Sequence, residues 1–231
     1  MEKKKMKMWK KILIIVIILI VLFIIITARK MIIIKNLQSK MEKYEKADNY
    51  YATMYSYQGT NLQIHTTYRK DDISLSTVKS LSENETTILT IYTDDKVSHI
   101  YMDTPESKIA ILDGNGTSSS IQIQNELETQ NLWQSIVRAI KSSVKTEECN
   151  GKECYKIEVS CFDLFCFDKH DNVVCYFDKD TGLKIRELNG TAGDGENKIN
   201  MVSDYHYEFD MVKDEDLKEP DISEYTVQEN E

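Results

Sequence analysis

Five cysteines, Cys149, Cys154, Cys161, Cys166 and Cys175, fall within 27 residues of a 231-residue chain. Thiols this dense serve as a disulfide framework or as a metal site. A structural zinc site needs ligands paired at short spacing, such as two C-x-x-C units. Here the intervening stretches are four, six, four and eight residues, and His170 is the one histidine nearby. That spacing argues against zinc. Disulfides stay open, with more arrangements than spacing can decide among. Cys149 and Cys154 flank Asn150-Gly151-Lys152-Glu153. If all four residues form the loop, the two thiols face each other and can bond. If Asn150 and Gly151 alone turn the chain, Cys149 faces Lys152 instead. Cys149 with Cys154 is the one pairing singled out as possible.

No other constellation carries a reaction. His65, His99, His170 and His206 are scattered over strand-like or loop-like sequence. There is no G-x-S-x-G elbow, no H-E-x-x-H pair and no phosphate-cradling glycine loop. Asp113-Gly-Asn115-Gly-Thr117 begins like a calcium loop, but Ser118 and Gln124 stand where glycine and glutamate are required. Asp178 and Asp180 could touch a cation, yet a hairpin accounts for both. No catalytic residue, cofactor or metal ligand is therefore assigned, and the chain is read as a non-enzyme.

The elements that hold these residues begin with an apolar run. Ile12 to Ile26 are fifteen consecutive aliphatic or aromatic residues, and Thr27 and Ala28 extend the uncharged stretch to 17. This is the short end of what spans a bilayer core. Six lysines precede it, opposed only by Glu2, and Arg29, Lys30 and Lys35 follow. The excess on the N-terminal side predicts a cytoplasmic N-terminus and an extracytoplasmic C-terminal domain. The flank around Ala28 is a poor signal-peptidase site, so the segment reads as a retained signal-anchor rather than a cleaved leader. Residues 1–11 are then a basic cytoplasmic segment and 12–28 the single transmembrane span.

Residues 29–56 are expected to form a juxtamembrane helix. Ile34, Leu37, Met41, Tyr44, Asp48, Tyr51 and Tyr55 recur at spacings of three and four, one helical face. Such a stripe could zip a parallel coiled-coil dimer or pack on its own domain. Asp48 in the seam and the preponderance of tyrosine favour the second.

Residues 57–219 change period to two. Alternating runs begin at Leu62, Ile73, Thr86, Val97, Lys108 and Ser119, separated by turn sequences such as Thr104-Pro105-Glu106-Ser107. Short turns between such runs predict an antiparallel meander. One amphipathic helix interrupts it over residues 129–146, with Leu132, Trp133, Ile136, Val137, Ile140 and Val144 on one face. Strands resume with Tyr155–Cys161, Val173–Phe177 and Leu183–Leu188, then Tyr205, Tyr207, Phe209 and Met211 in alternation. From Asp214 onward eight acids face Lys218 alone. The acidic tail, residues 220–231, is expected to be extended or mobile.

Charge excludes one class of partner. Residues 1–46 hold 12 of the 29 Lys+Arg and 3 of the 38 Asp+Glu, leaving 17 bases against 35 acids, a net of −18, on the rest. That surface repels nucleic acid. The Ile/Lys/Asn-rich composition with only 2 Pro is bacterial in character.

The order of elements and three segments carry a family likeness. These are Cys175-Tyr-Phe-Asp-Lys-Asp-Thr-Gly-Leu-Lys-Ile-Arg-Glu-Leu, then Tyr205-His-Tyr-Glu-Phe-Asp, then Lys218-Glu-Pro-Asp-Ile-Ser. Over about residues 40–220 the chain resembles bacterial extracytoplasmic proteins of the lipoprotein-carrier (LolA-like) fold. The resemblance implies an α+β class: a mostly antiparallel, curved, half-barrel-like sheet packed on a helix, with acyl chains held on the concave face. It transfers no ligand residue to a numbered position. The two-faced strands and the amphipathic helix nominate Leu132, Trp133, Ile136, Tyr205, Tyr207 and Phe209 as ligand-lining residues. The expected function is a membrane-anchored, non-enzymatic domain binding lipid, lipoprotein or another apolar ligand. The competing expectation is a cell-envelope interaction or sensory module without a small-molecule ligand.

Overall fold

A computed structural model describes residues 2–82, 85–94, 97–112, 121, 123, 127, 131–159, 171–192 and 197–229. Cys161, Cys166, His170 and the Asp113–Thr117 turn lie outside them. So does the run expected at Ser119–Gln124, apart from Ile121 and Ile123, which belong to no strand.

The chain opens with α1, Glu2–Glu45, one helix of 44 residues. From Ile12 to Ile26 its apolar side chains are exposed on every side. Beyond Lys30 only a stripe is apolar, and there Ile34, Leu37 and Met41 are buried. The helix ends well before residue 56. Ala47 donates its amide to Tyr44 O (3.0 Å), and the chain enters strand β1, Asn49–Gln58. Tyr51 and Tyr55 thus belong to a strand, not to the helical stripe. The run Asn-Tyr-Tyr-Ala-Thr-Met-Tyr-Ser-Tyr-Gln is aromatic-rich and suits a pleated surface better than a helix.

Five further strands complete the meander: β2 Asn61–Lys70, β3 Ile73–Leu81, β4 Thr86–Asp94, β5 Val97–Asp103 and β6 Lys108–Leu112. Helix α2 follows, Leu132–Lys141, with Asn131 as N-cap accepting from the Gln134 amide at 2.9 Å. It is shorter than the helix expected over 129–146. Residues Ser142–Cys149 form β7 instead, because Ser142 to Cys149 pair with β8, Lys152–Val159. Strands β9 (Asp171–Asp178), β10 (Lys184–Ala192) and β11 (Asn197–Phe209) close the second half. All join one open, curved 12-stranded sheet in the order β12-β6-β5-β4-β3-β2-β1-β11-β10-β9-β8-β7. Pairing β1 with β11 brings the two halves together, Tyr50 opposite Phe209 and Ala52 opposite Tyr207.

The acidic C-terminal segment, described to Glu229, is extended at its end and pairs with the sheet. After short 3-10 turns at Asp214–Leu217 and Ile222–Glu224, residues Thr226–Glu229 form β12, parallel to β6. Its acids have basic partners: Lys70 Nζ reaches Asp214 at 2.5 Å and Lys108 Nζ reaches Glu224 at 3.0 Å. Glu219 accepts from the Tyr101 hydroxyl and pairs with His99. The Tyr225 ring meets Tyr101 edge-on at 5.2 Å.

The main core lies where α1 crosses the sheet. Ile34, Leu37 and Met41 pack with Leu127, Ile157, Cys175, Phe177 and Leu183. The stripe therefore serves the chain's own domain. Gly182 shows how close the contact is. Its φ is +77°, and a Cβ there would lie 2.6 Å from Leu37 O. Only glycine meets both demands.

Candidate functional site

Helix α2 packs against α1 and leaves a groove of about 540 Å³ between them. Ala28, Met31, Ile32, Ile34, Lys35 and Gln38 form the α1 wall. Leu132, Ser135 and Arg138 form the α2 wall. The spacing of both sets follows the helical period, so each helix offers one face. The floor is apolar and the rim carries two cationic side chains, Lys35 and Arg138. Burial lowers the Arg138 pKa from its ordinary value. The groove opens beside the exposed apolar stretch of α1. Met31, Ile32 and Ile34 were not nominated from the sequence. Their signal is the apolar run Met31–Ile34, which resumes directly after Arg29-Lys30.

The six nominated residues do not form one site. Leu132 lines the groove, and Trp133 is exposed on α2. Ile136 is half-buried on the same helix. Phe209 and Tyr207 pack against the core near the far end of α1, where the Phe209 ring lies 4.6 Å from that of Tyr44. Tyr205 stacks on Tyr207 but is drawn into a polar cluster: Lys184 sits over its ring at 4.7 Å, and its hydroxyl donates to Glu187 at 3.5 Å. Tyr207 and Phe209 thus lie on the sheet face against which α1 packs. This is a physical consequence of the stripe on residues 34–44, which needs an apolar face and finds this one.

The cysteine geometry settles the hairpin. Asn150 (φ 52°) and Gly151 (φ 75°) alone turn the chain, and Cys149 pairs with Lys152. Cys149 and Cys154 are free thiols, and they do not sit directly opposite each other, since Cys154 pairs with Glu147. They share a small apolar cluster with Tyr176 and Ile185. Burial pushes the Cys154 thiol up to about 11 and raises that of Cys149, which makes both poor nucleophiles.

Other titratable groups are committed to structure. Asp178 is buried. That burial raises its pKa, but hydrogen bonds from the Asp180 amide (2.8 Å) and Lys152 (3.2 Å) outweigh it and hold the carboxyl below its usual value. Glu187 follows the same balance, with burial opposed by Lys184, Asn189 and Tyr205. Burial lowers the His65 pKa. His99 pairs with Glu219 of the C-terminal segment, and His206 with Glu208 of its own strand. Among the described residues, no group of three or more His, Cys, Asp or Glu could hold a metal ion.

No protein-family model matches this chain, and no curated protein does so either. Solved structures of similar arrangement exist, all at low identity. The MucA/MucB complex of Pseudomonas aeruginosa gives 11% identity and a TM-score of 0.43 over 80% of this chain and 61% of that one. The chain thus spans 61% of the length of that relative. An uncharacterized conserved protein from Thermus thermophilus gives 10% and 0.46, covering 85% of this chain and 98% of that one. A third, from Nitrosomonas europaea, gives 10% and 0.30, covering 79% and 97%. It is a LolA superfamily protein.

Proposed function

We propose that this chain is a single-pass membrane protein whose extracytoplasmic domain binds the acyl part of a lipid or lipopeptide between α1 and α2. The observation that carries this reading is the groove itself. Its floor is apolar, its rim is cationic, and it opens onto the exposed apolar half of α1. An acyl chain could enter it sideways from a bilayer without crossing water. One helix among the described residues is long and apolar enough to span a membrane, with a mean hydropathy of 3.3 in an unburied window. The bias of basic residues toward the N-terminus supports a cytoplasmic N-terminus.

The test is native mass spectrometry of the full chain released from phospholipid nanodiscs. The wild-type protein is expected to retain a phospholipid mass. Ser135→Trp, which fills the groove without removing its apolar floor, is expected to release it, with circular dichroism unchanged. Equal retention by both proteins would place any lipid elsewhere and defeat the reading. A second reading, a protein-interaction or sensory module, is favoured by the packing of α1 on the sheet face that carries Tyr207 and Phe209, where helix rather than ligand meets both rings. A chain with no retained lipid, but with a salt-sensitive partner recovered by cross-linking in membranes, would favour it.

A further inference from the structure

We propose that α2 lies in the headgroup layer of the bilayer that α1 crosses, with Trp133 and Ile140 seated among the outer acyl carbons. This rests on the reading of α1 as a transmembrane helix and adds a second membrane contact to it. The argument starts from length. The uncharged stretch Ile12–Ala28 has 17 residues, about 25 Å of helix, whereas a hydrocarbon core is about 30 Å thick. Filling it takes about 20 residues, which brings the outer boundary to the neighbourhood of Met31. Arg29 and Lys30 can reach outward from that depth along their flexible stems.

At this level α1 carries α2. Ala28 and Met31 share the groove with Leu132, and Lys30 Nζ donates to Ser142 O, the C-cap of α2, at 2.6 Å. The C-terminal end of α2 is therefore held at the height of Lys30. Its orientation follows from burial. Ala139 is fully buried and Ser135 and Arg138 face α1 across the groove. On the helical wheel, Trp133 and Ile140 lie close together and away from that side. They are 68% and 47% exposed, an apolar pair that the protein leaves uncovered.

Charge agrees with a lipid surface. Residues 131–145 contain Arg138, Lys141 and Lys145 and no acid, in a domain that is otherwise strongly anionic. A helix with an apolar face, a tryptophan and basic flanks suits the interface of an anionic bilayer.

The experiment uses the full chain carrying Trp9→Phe, which leaves Trp133 as the single tryptophan. It is reconstituted into phosphatidylcholine/phosphatidylglycerol vesicles, plain or with acyl chains brominated on the upper carbons or near the chain end. Emission is expected to fall roughly twofold with upper-carbon bromine and less with the deep label, as for helices lying in the interface. Ile140→Glu should weaken that quenching, and unchanged quenching would overturn the placement of this face. Emission insensitive to bromine, in vesicles that still float with the protein, overturns the α2 placement and leaves the anchor standing. Blue-shifted emission that depends on protein density but not on bromine assigns the face to a second copy and also overturns it. A chain that fails to float with the vesicles defeats the anchor itself.

Discussion

The two halves of the sheet are held by different physics. In β7–β11 the face toward α1 is apolar: Ile157, Cys175 and Phe177 are buried against Leu37 and Met41. In β2–β4 the same face buries hydroxyls. Ala52 pairs with both Tyr207 and Thr67, which places Thr67 on that face, and Thr67 bonds Ser76 across to β3 at 3.1 Å. Thr67 Oγ1 also accepts from the Ile121 amide at 2.9 Å. On the opposite face, the C-terminal segment is tied down through Glu219, Asp214 and Glu224. One half is therefore a core in the ordinary sense, and the other is a laced surface. Burial of large side chains tolerates little change, whereas a lattice of modest hydrogen bonds loses stability in small increments.

Truncating the packed half should produce the largest effect. Phe177→Ala is expected to cost about 3–5 kcal/mol and Leu37→Ala about 2–5 kcal/mol, read from urea unfolding of the detergent-solubilised chain. Ser76→Ala, in the laced half, should cost only about 1 kcal/mol. Similar losses for all three would erase the distinction. Next in size, Gly182→Ala should cost roughly 1–3 kcal/mol through its left-handed backbone and the Leu37 carbonyl, without touching the laced half. A loss confined to the α1 contact would appear as faster hydrogen exchange in residues 34–44.

Glu219→Gln probes the lacing directly. Its carboxylate is a third exposed, so solvent screening limits the effect to about 1 kcal/mol or less. Exchange at β12 should accelerate while the global unfolding midpoint barely moves. A large global shift would mean that the C-terminal segment belongs to the main core.

Acidification should separate the halves by onset. His65, in the laced half, has its pKa lowered by burial from 6.5, so the unfolded chain binds the proton first. Its contribution is intact above about 6.5 and is lost as pH falls through the lower folded value. Asp178 and Glu187, in the packed half, are lowered from 3.8 and 4.5. Their contribution survives to about pH 4.5 and then declines. Exchange measured against pH should weaken β2 before β9 and β10, and His65→Asn should remove the earlier onset. Simultaneous weakening would contradict the assignment.

Strand positions from β2 to β6 were legible in the sequence because alternation and turn residues agree there. The junctions were not. Asp48, Tyr51 and Tyr55 satisfy a helical spacing by coincidence, and Asp48 already marks the break. Val144 fits the face of α2 equally well, and only its pairing with Ile157 of β8 makes it a strand residue. The C-terminal segment misled through composition. Its acids look solvated until Lys70, His99, Tyr101 and Lys108, all distant in sequence, are placed beside them. The nominated ligand residues are divided between α2 and the sheet for a related reason. Strand alternation reveals a two-faced strand but not what covers the apolar face, and here the chain covers it with α1.

The helix α1 runs without interruption from Glu2 to Glu45, so on the proposed topology it is a rigid axle between two media. Its lower part, apolar on every side from Ile12 to Ile26, has no preferred face. Its upper part is keyed to the sheet by Ile34, Leu37 and Met41. Any torque or tilt applied below Lys30 is passed to the domain without slack. Each residue added at that junction would advance the domain by about 1.5 Å and turn it by about 100° relative to the lower part of α1.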